Sequence, residues 1–309
     1  MEMRQVLASE LERMMTENEN IVVIDADLAK PNGVVNLREK FPERAFDVGI
    51  AEQNMASIAA GMSSYGFTPF ITTFTPFATR RICDQVAISC AYAKQNVKII
   101  GSDPGISAEF NGGTHMSMED IGVLRSIPEV VIFEPVDAVQ FKAALPALTA
   151  YHGVVYIRMF RKVIDDVFPA DYKFEMFKAS PIQEGKDVTI FTSGIMTQET
   201  MIANETLKAE GISAEIINIH TIKPIDREAV VASAKKTGAV VTAENHNVIG
   251  GLKSAVCEVL MEEYPVPLRA VGVQDQFGQV GKMNYLKEVY QMRAQDIVKA
   301  VKEVLALKK

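Results

Sequence analysis

The feature that most constrains the fold is an alternation of short apolar runs with helix-like stretches. Continuous apolar runs are typical of strands buried on both faces, and helices between them imply a parallel sheet covered on both sides. Five such runs precede residue 161, and four follow residue 186. The predicted strands are 21–28, 66–74, 96–103, 129–135 and 153–160, then 187–194, 214–219, 238–244 and 268–273. Residues 77–95, after the second of these strands, are predicted to form a helix.

A polar stretch separates the two series of strands. Residues 161–187 contain two prolines and show no clear period. The sequence therefore predicts an α/β chain with two doubly wound domains, residues 1–165 and 185–309, joined by a linker at 166–184. A chain of 309 residues is long enough for two domains of ordinary size.

Composition and charge narrow the possible functions. A net charge of −7 argues against nucleic acid as a partner. The N-terminal helix is too charged for a signal peptide, and no apolar run is long enough to span a membrane. The four histidines lack metal-ligand spacing, so no metal site is predicted in this chain. Because Cys83, Cys90 and Cys257 form no CxxC pair, we expect reduced thiols and a cytoplasmic location.

Residues 46–65, FDVGIAEQNMASIAAGMSSY, place Glu52 at the start of an otherwise uncharged helix of small residues. A carboxylate at a helix start is stabilised by the helix dipole, so Glu52 could be purely structural. The alternative is a proton-transfer group held in an apolar site. The absence of any other charge in the helix favours this second interpretation. It also predicts that the helix is buried on most sides.

The strand ends point to one site near Glu52. In open parallel sheets, sites form at the carboxyl ends of the strands. This rule selects Asp25, Asp27, 72–77, 102–103, Glu134 and 158–161. The glycine-rich segment 105–115 leaves the same edge. We therefore expect a single site in the first domain.

Several segments resemble the transketolase family. FDVGIAEQNM, PFITTFTPF, GGTHMSMED and IRMFR resemble its thiamine-pyrimidine-binding domain, and VVTAENHNVIGGLKSAV and VGVQDQFGQVG resemble its C-terminal domain. The GDG segment with its following Asn, which holds Mg²⁺ and the diphosphate in this family, is missing. The chain thus looks like the C-terminal subunit of a split transketolase. The resemblance implies that thiamine diphosphate and Mg²⁺ are held mainly by a partner, an N-terminal subunit with the diphosphate-binding domain.

The resemblance also implies roles for individual residues around the cofactor. Glu52 matches the glutamate that hydrogen-bonds N1′ of the aminopyrimidine. Phe74 and Phe77 match aromatic residues that pack around that ring, and Asp27 matches an aspartate close to the cofactor. His115 matches a histidine that hydrogen-bonds the C1 hydroxyl of the donor sugar, so Glu52 and His115 are the expected catalytic residues.

Other positions concern the sugar substrate. Asn111 stands where the family usually has an aspartate that recognises a sugar hydroxyl. Arg161 matches the arginine that binds the substrate phosphate, with Arg158 as the alternative. Two departures from the family pattern are Ser102, near an expected histidine, and Pro31, near an expected phosphate-binding serine.

Three further residues lie within the matching motifs or beside them. Arg80 stands at the family's third ring position, and no role is carried over to it. His246 and Asp275 are expected to be structural residues at the domain contacts.

The expected activity is the transfer of a two-carbon ketol unit from a ketose phosphate to an aldose phosphate. The expected assembly is an α₂β₂ heterotetramer with a homodimer contact through the pyrimidine-binding domains. One alternative is the β subunit of a 2-oxo acid dehydrogenase, against which the GGTH motif argues. Another alternative is a non-catalytic interaction subunit that retains the fold. The presence together of all the residues expected at the cofactor and the donor sugar argues against it.

Overall fold

The computed structural model describes residues 1–308 and confirms two α/β units built on largely parallel sheets. The strands are β1 Ile21–Asp25, β2 Ala45–Asp47, β3 Thr68–Phe74, β4 Lys98–Ser102, β5 Val131–Phe133, β6 Val155–Met159, β7 Ser180–Gln183, β8 Val188–Thr192, β9 Ala214–Asn218, β10 Thr221–Lys223, β11 Val240–Asn247 and β12 Leu268–Val273. The α-helices are α1 Met3–Glu17, α2 Ala29–Asn32, α3 Val35–Lys40, α4 Glu52–Ser64, α5 Asp120–Arg125, α6 Ala138–Ala150, α7 Met196–Ala209, α8 Arg227–Thr237, α9 Leu252–Glu263, α10 Met283–Val289 and α11 Ala294–Leu305.

The first sheet has seven strands in the order β10-β5-β6-β4-β3-β1-β2, and the second has five in the order β12-β11-β8-β9-β7. Among the strands that the structure describes in residues 1–308, only β10 and β7 pair with their neighbours in an antiparallel way. The central strands β1, β4, β6, β8 and β9 are buried along their whole length, which is what their continuous apolar sequences predict.

Every predicted strand overlaps an observed one, but three short strands were not predicted: β2, β7 and β10. The predicted linker needs correction, because β7 lies within it and forms the antiparallel edge of the second sheet. Its sequence, SPIQ, carries a proline and only a partial apolar pattern, which is typical of an edge strand. The domain bounds themselves stay a prediction.

Strand β10 comes from the second unit but completes the sheet of the first. Thr221 pairs with Phe133 of β5, and Lys223 pairs with Ile132. The Lys223 ammonium also donates a 2.9 Å hydrogen bond to the carbonyl oxygen of Arg125. The two units are therefore joined by backbone pairing as well as by side-chain packing.

Helix α4 begins at Glu52, as predicted, and packs against β3 and the segment that follows it. That following segment, predicted as one helix over 77–95, is instead a 3₁₀ turn, Arg80–Ile82, and a π-helical stretch, Gln85–Tyr92. The buried side of α4 consists of Glu52, Met55, Ala56, Ala59 and Ala60. Its other side is exposed in the single chain, whereas burial on most sides was expected. Among residues 1–308, no helix combines the length and apolarity that crossing a membrane requires.

Candidate active site

The carboxyl ends of four parallel strands form one edge of the first sheet. Strands β6, β4, β3 and β1 are consecutive neighbours in the sheet. Phe74 ends β3, while Asp27, Asp103 and Arg161 lie just beyond the ends of β1, β4 and β6. Helix α4 begins beside this edge, so Glu52 reaches the same place.

A cavity of about 320 Å³ lies at this edge. Its lining residues are Ala26, Asp27, Leu28, Ile50, Glu52, Phe74, Phe77, Arg81 and His115. The structure thus brings together the five residues expected around the cofactor and the donor sugar, although they come from four separate segments of the chain.

Three rings form one wall of the cavity. The centroids of Phe74 and Phe77 are 6.3 Å apart, and the His115 ring stands edge-on to Phe77 at 5.3 Å. Glu52 is only 4% exposed and lies beside these rings. A flat heteroaromatic ring with a nitrogen at its edge could pack on the phenylalanines and hydrogen-bond to the carboxylate.

Arg81 is the site residue that sequence reasoning missed. Its Nη1 donates a 2.6 Å charge-assisted hydrogen bond to Oε1 of Glu52. Its guanidinium carbon lies 3.7 Å from the centroid of the Phe77 ring, within cation–π distance. Arg81 therefore contacts both kinds of group that define the cavity, the carboxylate and the aromatic wall.

The neighbouring Arg80 points elsewhere. Its Nη1 pairs with Oε1 of Glu119 at 2.5 Å, and its Nη2 donates to the carbonyl oxygen of Thr114 at 3.3 Å.

The sequence contained one indication that Arg81 lies near the aromatic wall. Arg81 follows Phe77 by four positions, which is about one turn of a helix. Choosing between two adjacent arginines requires the 3₁₀ turn that begins at Arg80.

Asp27 lies where β1 gives way to α2. Its backbone adopts a left-handed φ of 60°, and its N–H donates a 3.0 Å hydrogen bond to Oδ1 of Asp47. The side chain is exposed and lines the cavity. The preceding Asp25 is buried and accepts hydrogen bonds from the N–H groups of Leu28 and Ala29, so it stabilises the turn.

His115 sits on a loop supported by the second unit. Its Nδ1 is 2.8 Å from the hydroxyl of Thr114. The backbone of Gly113 lies so close to the carbonyl oxygen of Gly278 that a side chain at position 113 would clash with it. This glycine of GGTH is therefore needed for a close approach between two loops, and the approach fixes the loop that carries His115.

Asn111 is not among the residues that line the cavity. It ends the 3₁₀ segment Gly105–Asn111, and its side chain is exposed. The structure places it on the same loop as His115 but outside the pocket in the isolated chain.

Arg161 is not among the residues that line the cavity, but it lies beside Phe74, which is. Its Nε pairs with Oδ2 of Asp103 at 2.5 Å, and its Nη1 donates to the carbonyl oxygen of Pro31 at 3.2 Å. Its guanidinium carbon is 5.2 Å from the Phe74 ring. Burial raises the pKa of Asp103, and the Arg161 and Lys162 cations oppose that rise. Within residues 1–308, Nη2 and the second N–H of Nη1 have no hydrogen-bond partner, so they are available to another acceptor.

The structure contradicts the alternative prediction that Arg158 binds the substrate phosphate. Its side chain is 0% exposed. Its Nε donates to Oδ2 of Asp120 at 2.7 Å, Nη1 pairs with Glu134, and Nη2 donates to the carbonyl oxygen of Asn245 at 2.7 Å. It lies inside β6 rather than at its end. Arg158 therefore forms a buried structural ion pair within the first unit and a hydrogen bond to the second, and it presents no free edge to a substrate.

His246 lies in the same buried region and Asp275 does not. His246 is fully buried, its Nδ1 lies 2.6 Å from the carbonyl oxygen of Asn247, and burial lowers its pKa to about 4. His246 is therefore neutral at physiological pH and packs near Asp120 of the first unit. Asp275 is exposed and accepts a 3.4 Å hydrogen bond from the Asn247 amide.

The residues of the cavity fit part of a cofactor rather than all of it. The phenylalanine faces and the Glu52 carboxylate suit an aminopyrimidine ring. A diphosphate with Mg²⁺ needs several oxygen ligands around the metal. Within residues 1–308, no three His, Cys, Asp or Glu side chains cluster closely enough to hold a metal ion.

Two family models match the chain. The model described as "Transketolase, pyrimidine binding domain" matches residues 1–165, and "Transketolase, C-terminal domain" matches residues 178–297. These matches agree with the resemblance drawn from the sequence motifs, and they confirm the predicted identities of the two α/β units.

Curated relatives cover most of the chain. A 6-deoxy-6-sulfo-D-fructose transketolase subunit of Clostridium sp. (strain MSTE9) is 52% identical over 93% of this chain and 89% of its own length. One subunit of the apulose-4-phosphate transketolase of Phocaeicola vulgatus is 33% identical over 88% of each chain.

Two solved structures share the fold. One is a split-gene transketolase, described as an inactive β4 tetramer, with a TM-score of 0.93 and 44% identity, and the match covers 100% of both chains. The transketolase of Campylobacter jejuni has a TM-score of 0.83 at 20% identity, and the match covers 98% of this chain but 46% of that one.

Proposed function

The chain belongs to the transketolase family, and from this we propose that it is the pyrimidine-binding subunit of a two-chain, thiamine diphosphate-dependent transketolase. Together with a partner carrying the diphosphate site, it transfers a two-carbon ketol unit from an anionic ketose to an aldose phosphate. The observation that carries this proposal is the single cavity in which Glu52, Phe74, Phe77 and His115 meet.

The cofactor and this chain divide the chemistry. Thiamine diphosphate, when bound, supplies the electron sink for breaking and forming bonds next to a carbonyl. Phe74 and Phe77 hold the pyrimidine ring and exclude water from it. Glu52 holds a proton against the ring nitrogen, as a general acid–base group must. His115, beside the aromatic wall, orients a hydroxyl of the donor sugar, and Asp27 lies close to the cofactor.

The charge of Arg161 favours a substrate with an anionic end. A guanidinium binds phosphate or sulfonate oxygens through parallel N–H groups. Arg161 is already paired with Asp103, so the net positive charge offered to a substrate is small. A singly charged sulfonate needs less compensation than a phosphate dianion, and the relative with 52% identity is a sulfofructose transketolase subunit. We propose that both kinds of ketose are candidate donors.

Assembly with other chains follows from uncovered surface beside the cavity. The exposed side of α4 is uncharged and consists of Gln53, Asn54, Ser57, Gly61 and Ser64. Apolar side chains flank it, with Ile50 77% exposed and Tyr65 87% exposed. Such a surface is typical of a protein interface. We propose that it forms the homodimer contact of an α₂β₂ enzyme.

The test is reconstitution. The purified chain, Mg²⁺, thiamine diphosphate, an aldose phosphate acceptor and a partner chain with a diphosphate-binding domain are combined. The aldehyde released from sulfofructose or from fructose 6-phosphate is measured, together with the lengthened ketose formed from the acceptor. We expect activity only from the mixture, together with an α₂β₂ mass by light scattering. The chain alone is expected to be an inactive homo-oligomer, as the split-gene relative is in its β4 tetramer.

Two outcomes would overturn the proposal. Full ketol transfer by the chain alone would show that it contains its own diphosphate site. Release of CO₂ from a 2-oxo acid by the mixture, without ketol transfer, would assign the chain to a 2-oxo acid dehydrogenase instead.

Arg161→Ala is expected to weaken the preference for anionic donors. Loss of a charge-assisted hydrogen bond costs about 1.5–3 kcal/mol, which corresponds to roughly 10–150-fold in kcat/KM. The measurement is the ratio of kcat/KM for a ketose with an anionic terminus to that for the same ketose without it. Lys162→Ala is the control, because this neighbouring cation is already paired with Glu109 on another segment. An unchanged ratio in Arg161→Ala would place the anion contact on the partner chain.

A further inference from the structure

The contacts of Arg81 match those that a bound pyrimidine would need. The guanidinium is flat, lies over the Phe77 ring at 3.7 Å, and donates a 2.6 Å hydrogen bond to Glu52. An aminopyrimidine in this cavity would use the same aromatic face and the same carboxylate. Both cannot occupy these positions at once.

We propose that Arg81 closes the pyrimidine site by occupying it with its own guanidinium, so that the cofactor enters only when Arg81 swings out. This inference rests on the proposed function and assigns a role to a residue outside the predicted site. Arg81 has room to move, since its side chain is 41% exposed, whereas Glu52 is buried and fixed at the start of α4.

The closed state has a physical reason. A buried carboxylate without a partner is costly, and Arg81 is the cation that pairs with Glu52 in this structure. In the isolated chain, the guanidinium satisfies the carboxylate and covers an aromatic face that would otherwise meet water. A cofactor must replace both contacts, so its affinity for the isolated chain is reduced by the fraction of closed molecules.

The experiment uses the full chain and two probes that lack the diphosphate. These are thiamine and its neutral hydroxymethyl aminopyrimidine half, titrated by ligand-observed NMR. We expect Arg81→Met to bind both probes about tenfold more tightly than the wild type, because no charge-assisted hydrogen bond has to be broken. Arg80→Met is the matched control: it removes an adjacent cation that pairs with Glu119, and we expect wild-type affinity.

A second variant tests the mechanism of closure. In Arg81→Ala, added methylguanidinium at millimolar concentration should compete with the neutral probe, since it can refill the vacated position. Circular dichroism and the melting temperature establish that both variants are folded.

The results that would overturn the proposal are specific. Equal or weaker probe binding by folded Arg81→Met, absence of binding by that variant, or no competition in Arg81→Ala would each show that Arg81 does not occupy the pyrimidine site. An active reconstituted enzyme with any of these results would leave the proposed function intact. An inactive mixture with tighter probe binding would retain closure by Arg81 and reject ketol transfer.

Discussion

Glu52→Gln is expected to lower kcat of the reconstituted enzyme by about 10²–10⁴, the usual loss for one general acid–base group. An amide cannot hold or release the proton that the ring nitrogen requires. The fold should remain intact, because the amide oxygen can still accept the hydrogen bond from Arg81 that now joins Nη1 and Oε1 at 2.6 Å. Steady-state kinetics at saturating partner and cofactor measure the effect.

The control for this variant is Glu17→Gln. Glu17 is a surface residue of α1 paired with Arg13, and it does not line the cavity at the strand ends. It should leave kcat unchanged. If Glu52→Gln kept turnover within about threefold of the wild type, the proton-transfer role of Glu52 would be wrong.

Arg158→Met is expected to be the most destabilising single substitution that we propose. It leaves the carboxylates of Asp120 and Glu134, 0% and 2% exposed, without their shared cation. Breaking a buried ion pair from one side costs about 3–5 kcal/mol. Urea denaturation followed by circular dichroism should show this loss in the free energy of unfolding.

Arg227→Met is the matched comparison, because Arg227 also pairs with two carboxylates, Glu262 and Glu263. That cluster is exposed and screened by water, so its loss should lower the free energy of unfolding far less than the loss of Arg158 does. Equal effects of the two substitutions would contradict the structural role assigned to Arg158. They would reopen the possibility that Arg158 serves the substrate.

Much of the fold could be predicted because the apolar composition of its long strands is visible in the sequence itself. Runs such as residues 98–102 and 188–192 are buried throughout and largely apolar, and that pattern requires a parallel sheet covered on both faces. The short strands β2, β7 and β10 lack such a signal. Their extended conformation depends on a neighbouring strand that is available only after folding.

The candidate site, like the fold, could be predicted only in part. The resemblance selected Glu52, Phe74, Phe77, His115 and Asp27, and the structure brings them to one cavity. The arginines were harder to assign, because a sequence does not state which way a long side chain turns. The sequence contained one indication that Arg158 is structural. It lies inside an apolar strand, where a buried charge must be paired.

Arg81 could not be recognised in the same way. Its position depends on the change from a 3₁₀ turn to a π-helical stretch within residues 80–92, and the apolar pattern of the sequence did not predict this change. A regular helix over 77–95, as predicted, would orient the adjacent arginines differently.

Strand β10 has a consequence for any attempt to divide or recombine the chain. A fragment that stopped at residue 165 would leave the outer edge of β5 unpaired, and an open edge recruits strands from other molecules. The complementary fragment would carry a three-residue strand with nothing to pair with. Exchanging the second unit between relatives would likewise replace the outer strand of the sheet that carries the site. A chimera made in this way tests a hybrid sheet, not two interchangeable modules.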